Sequence, residues 1–120
     1  MNFTNKRIEE CLTEPEEFLD YMADQIGWFR ITENLYYASQ ITTSKERDDY
    51  HSFCAMWRYT AARTGFGFGM FVKGKGYVRR NMRVNLKMTV EELISWLRSQ
   101  EKDLKNYINE ERMKNISEDF

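Results

Sequence analysis

Apolar residues recur at helical spacing in two stretches of this chain. Tyr50, Phe53, Cys54, Trp57 and Ala61 line one side of a helix predicted over Ser44 to Arg63, and Val90, Leu93, Ile94, Leu97, Leu104 and Ile108 line another predicted from Val90 to about Arg112. Gln100 and Glu101 interrupt the second stripe, so its far half is expected to project from the core or to meet a partner. A further helix, Glu14 to Ile26, is marked by its ends: Pro15 falls in the first turn, where a missing N–H is harmless, and Gly27 stops it. Thr followed three residues later by Glu occurs at Thr13 and Glu16, Thr43 and Glu46, and Thr89 and Glu92, and each pair can cap a helix start reciprocally. A short helical turn around Asn5 to Leu12 precedes the first helix, and the polar residues after Arg112 predict a frayed tail.

Between the helices the period shortens. Trp28 to Thr32 and Leu35 to Ile41 are rich in aromatic and β-branched residues and flank Glu33-Asn34, which predicts a hairpin. Gly65 to Met88 predicts a second one. With Gly74-Lys75-Gly76 as a three-residue loop and Gly76 left-handed, Val72 faces Val78, Met70 faces Arg80, Phe68 faces Met82 and Phe66 faces Val84. That is an apolar face with one intruder, Arg80, and with Met70 and Met82 filling gaps. Alternation then puts Gly65, Gly67, Gly69, Phe71 and Lys73 on the opposite face, with Tyr77, Arg79, Asn81, Arg83, Asn85 and Lys87 beside them. The predicted fold is α+β, in the order α-ββ-α-ββ-α, with helices packed on one face of an antiparallel sheet of two β-hairpins.

The 120 residues, 42% of them hydrophobic, suit one domain with one core. A net charge of -1 conceals a strong segregation. Residues 1–49 hold five Lys/Arg against eleven Asp/Glu, residues 50–90 hold eight against none, and residues 91–120 hold five against eight. An acid-free stretch of this kind attracts anions. No apolar run reaches the roughly 18 residues of a membrane span, and Met1 to Glu10 is too polar for a signal peptide, so a cytoplasmic protein without membrane contact is expected. Cys11 and Cys54 stand apart, as reduced, inert thiols do.

Three glycines at alternate positions strip one strand of side chains, so a ligand could lie against backbone while cations beside it meet phosphates. The expected activity is binding without catalysis of nucleic acid or a nucleotide. Lys73, Lys75, Arg79, Arg83 and Lys87 would supply charge, Phe71 and Tyr77 would stack on bases, and Arg58 and Arg63 would extend the surface. The other uses of such a face are a solvated surface or a floor for a closely packed helix or subunit. Gly65-Phe66-Gly67-Phe68 with Phe71 resembles part of the RNP1 signature of the RNA-recognition motif. Thr64 replaces its basic residue, Gly69 its β-branched one, and the signature would need Phe66 and Phe68 exposed, against the pairing above, so no residue roles follow from it.

Catalytic readings have little to stand on. His51 is the single histidine, with only Asp48 and Asp49 near it and no nucleophile motif; the acids from Glu9 to Glu17 form a solvated face. Two isolated cysteines and one histidine do not make a metal site, no cofactor motif occurs, and the glycine stretch lacks a P-loop ending. Trp28, Trp57 and Trp96 are expected in the core. The second expectation is a small inhibitor or adaptor of the kind phages use, acting by protein contact through Glu14 to Ile26 or Val90 to Arg112. Trp96 and Tyr107 leave room for a homodimer.

Overall fold

The computed structural model describes residues 3–32, 36–38, 52–59 and 65–118. Among them the chain forms two α-helices, α1 (Pro15–Ile26) and α2 (Val90–Glu118), and five strands: β1 (Phe29–Thr32), β2 (Tyr36–Ala38), β3 (Phe53–Arg58), β4 (Phe66–Val72) and β5 (Gly76–Arg83). The strands pair in chain order, each antiparallel to the next, so the fold is α+β. No helix among the described residues is long and apolar enough to cross a membrane.

The predicted α-ββ-α-ββ-α order fails at its middle helix. Phe53–Arg58, inside the stretch read as helical, is β3, paired from Phe53↔Phe71 to Arg58↔Phe66. Its residues fit both periods: Phe53, Cys54 and Trp57 suit a helical stripe, while Cys54 and Met56 alternate equally well with Phe53, Ala55 and Trp57. The long hydrogen-bonding partner offered by β4 decides for the strand. Residues 44–51 and 60–63 of that predicted helix, Thr43 with Glu46, and the Glu33-Asn34 turn lie outside the described residues.

The helix ends show which caps act. At α2 the Glu92 N–H donates to Thr89 Oγ1 at 3.2 Å and the Thr89 N–H to Glu92 Oε1 at 3.4 Å, a reciprocal box. The pair Thr13 and Glu16 forms none, because Pro15 bars Glu14 from helical geometry (φ -134°, ψ 60°) and makes Glu14 the cap residue. Gly27 ends α1 in the left-handed region at φ 76°, its N–H bonded to the Ala23 carbonyl. α2 runs on to Glu118, beyond the predicted end at Arg112.

Both helices cover the same sheet face. Phe18 of α1 meets Phe66 at 5.0 Å between ring centroids, and Trp96 of α2 meets Phe68 edge-on at 4.8 Å. Cys54, Met56, Phe66, Phe68, Met70 and Val72, all at most 1% exposed, form the sheet side of this core. Ahead of α1, a segment with a 3-10 turn at Ile8–Cys11 is strapped to the start of α2: the Ile8 N–H donates to Met88 O and the Val90 N–H to Lys6 O. Glu101, which breaks the apolar stripe of α2, accepts the indole N–H of Trp28, so the interruption satisfies a core tryptophan.

Candidate functional site

The second face of β3, β4 and β5 carries no helix among the described residues. Its floor is set by register: Phe53 lies opposite Phe71, Ala55 opposite Gly69 and Trp57 opposite Gly67. A Cβ at Gly67 would fall 2.5 Å from Trp57 Nε1, and one at Gly69 would fall 3.2 Å from Trp57 Cη2. The half-buried indole therefore lies across both glycines. Trp57, expected in the core, instead covers the bare strand, and the chain's own ring takes the place foreseen for a ligand.

Two aromatic groups flank this covered floor. Towards the β4–β5 turn, Phe53 stacks on Phe71 (5.5 Å, 19°), and Tyr77, 51% exposed, meets Phe71 edge-on at 5.3 Å. At the other end Tyr59 follows Trp57, and its hydroxyl donates to Asn81 Oδ1 at 2.5 Å. Each group carries an arginine: the Arg80 guanidinium lies 5.4 Å from the Tyr77 ring centroid and that of Arg83 lies 5.5 Å from that of Tyr59. Both arginines are exposed, and β3 to β5 contain no carboxylate.

The register of β5 corrects the sequence reading at two residues. Phe68↔Met82 is paired as expected, and the Val84 N–H donates to Phe66 O, but Val72 pairs with Gly76, Phe71 with Tyr77 and Met70 with Arg79. The loop is Lys73 to Lys75, one residue earlier than predicted, with Gly76 left-handed at φ 85°. Two irregularities in β5 absorb the difference. Asn81, at φ 50°, takes a backbone conformation that asparagine tolerates better than most residues. Arg79 and Arg80 consequently exchange faces. Arg79 turns to the helix side, where Nη2 meets Asp103 Oδ2 of α2 at 3.1 Å and Nη1 approaches Met70 Sδ at 3.4 Å. Arg80, foreseen as the intruder in the core, stands on the open face.

The other candidate residues separate likewise. Lys75 reaches α2, with Nζ 5.3 Å from the Tyr107 ring centroid and 3.9 Å from Glu110 Oε2. Lys87 follows the end of β5, its Nζ 3.0 Å from Glu9 Oε2. Lys73 is exposed at the turn, where its backbone N–H donates to Ser52 Oγ. Arg58 pairs with Phe66 and shares the helix-side alternation of Cys54 and Met56, so it does not extend the open face. Arg63, like His51, Asp48 and Asp49, lies outside the described residues. Arg83, Phe71 and Tyr77 stay together on the open face. Phe53, Trp57, Tyr59 and Arg80 join them, and the first three could have been found from the alternation Phe53, Ala55, Trp57, Tyr59.

Elsewhere the structure offers little chemistry. Burial pushes the Cys54 thiol up to about 12, with Glu101 adding to the shift, and the Cys11 thiol up to about 11, so both stay protonated near neutrality. No group of three His, Cys, Asp or Glu among the described residues is placed to hold a metal ion. A shallow depression lined by Arg79, Asp103, Asn106, Tyr107 and Glu110 sits at the junction of α2 and the hairpin, its charges already paired. No known protein family, curated protein or solved structure matches this chain.

Proposed function

We propose that this is a non-enzymatic binding protein that holds nucleic acid or a nucleotide on the open face of β3, β4 and β5. Arg80 and Arg83 supply the charge, Lys73 contributes at the rim, and Tyr77, Phe71 and Tyr59 supply stacking surfaces. The single observation that carries the reading is the repeated pairing of a guanidinium with an aromatic ring on strands, β3 to β5, that contain no carboxylate. A guanidinium carries N–H donors in a planar fork that matches a phosphate in bidentate fashion, while ring and guanidinium planes both accept a base. Arg79, Lys75 and Lys87 are assigned instead to holding the hairpin and the N-terminal segment against their acidic neighbours.

Fluorescence anisotropy with labelled oligonucleotides tests this. Two phosphate contacts on a single strand give a slope of about -1.4 in log K against log salt, roughly a 7-fold loss of affinity from about 50 to 200 mM. Tight binding indifferent to salt, or none to any oligonucleotide or nucleotide, would overturn the assignment. The second reading, an inhibitor or adaptor of phage type acting on another protein, is favoured by the exposed acids Glu17, Asp20 and Asp24 of α1. A tagged pull-down yielding one stoichiometric protein that survives nuclease treatment, together with silent anisotropy, would select it.

A further inference from the structure

We infer, resting on the reading just given, that the ligand is a single-stranded polynucleotide engaging two separate stations along β3, and neither a mononucleotide nor a duplex. The stations are alike in composition. One is Tyr77 with Arg80, backed by Phe53 and Phe71; the other is Tyr59 with Arg83, beside Trp57. Phe53 and Tyr59 are six residues apart along β3 and its extension, about 20 Å at ~3.3 Å per residue. A single nucleotide spans the roughly 10 Å between Arg80 and Arg83, three residues apart on β5, but cannot stack on the rings of both stations, whereas a strand of about four nucleotides, near the lower limit for a small sheet domain, can.

The surface between the stations supports the same conclusion. Ala55 and Gly69 face each other there, and the Trp57 ring covers Gly67 and reaches Gly69, so the floor is low and its exposed part is aromatic. A strand can cross such a floor with its bases turned down. A duplex keeps its stacking surfaces inside and is read by an element that enters a groove, whereas the open face offers aromatic rings and guanidinium groups on a sheet. The charge is also asymmetric: both arginines come from β5, at one margin of the face, while Phe53, Trp57 and Tyr59 come from β3 and its extension. The phosphates therefore track β5 and the bases point towards β3.

The test compares thymidine monophosphate with oligothymidylates and oligouridylates of about two, four and eight nucleotides, and with a duplex of the longest, by competition against one labelled octamer. Affinity is expected to climb steeply between two and four nucleotides and little thereafter. Removing one station, by Y77A with R80A or by Y59A with R83A, should weaken the longer strands by roughly 5- to 100-fold and abolish their advantage over the dinucleotide. Circular dichroism confirms folding, and Y59F, which keeps the ring, should retain most of the affinity if folding suffers in Y59A. Equal affinity for monophosphate and octamer, or for duplex and single strand, would refute the two-station arrangement and leave the broader proposal standing. Failure of every nucleotide and oligonucleotide to bind would remove both.

Discussion

The two faces of the β4–β5 hairpin use similar residues for different ends. On the face covered by the helices, Phe68 and Met70 are fully buried, and one arginine, Arg79, is committed to Asp103. On the open face Phe71 is half-buried, Tyr77 is mostly exposed, and Arg80 and Arg83 lie over rings. The difference teaches that a basic stretch in a sequence is not one surface. The acid-free region is attracted to its acidic flanks, and three of its cations pair with Glu9, Asp103 and Glu110. Which cations stand on the open face is decided by the side to which the backbone carries them.

Substitutions that respect this division should have effects of different kind and size. Phe68→Ala should be the most damaging, destabilising the protein by about 3–5 kcal/mol in urea unfolding, because its ring fills the covered core. Phe71→Ala should be milder, below about 2 kcal/mol, since part of its surface already meets water. Equal losses would show that the open face is as well packed as the other.

Gly67→Ala should come next, at about 1–3 kcal/mol, since the new methyl would strike the Trp57 ring. In a Trp57→Ala background the same change should become nearly neutral, and a double-mutant cycle on the unfolding midpoints measures the coupling. Additive effects would mean that the indole does not rest on the glycine strand.

A smaller and more telling contrast concerns the exchanged arginines. Arg79→Ala should destabilise by about 1 kcal/mol or less, since its ion pair is part-exposed and screened, and should leave oligonucleotide affinity within about twofold. Arg80→Ala should leave stability within about 0.5 kcal/mol and weaken binding clearly. The opposite pattern in melting and anisotropy would return Arg79 to the binding face.

The thiols add no pH dependence near neutrality, and their effect emerges only in alkali. Their native pKa values, about 11 for Cys11 and about 12 for Cys54, lie above the ordinary value of 9.0. The neutral thiols are favoured in the native state, so this contribution is complete below pH 9 and is lost as pH rises through 11 to 12. Unfolding midpoints should fall above pH 9 more in the parent than in a variant with both cysteines replaced by alanine, after allowing for the loss of their packing. A pH dependence unchanged by that replacement would show that the thiols ionise as easily folded as unfolded.

Local chemistry made much of this molecule readable from its residues alone. Pro15 and Gly27 bound α1, Thr89 with Glu92 opens α2, the glycines of the turn reverse the hairpin, and alternation places every residue from Tyr77 to Val84 except two on the face expected of it. Each of those signals acts over a few residues and needs no distant partner. Three matters were settled only by the folded chain: Phe53–Arg58 is a strand because β4 lies beside it, Trp57 rests on glycines ten and twelve positions ahead, and Arg79 turns inward where α2 presents Asp103. The physical reason is the same in all three. A residue whose local preferences are balanced, by two periods that both fit or by a strand that can bulge, takes the state that its neighbours in space make lower in free energy.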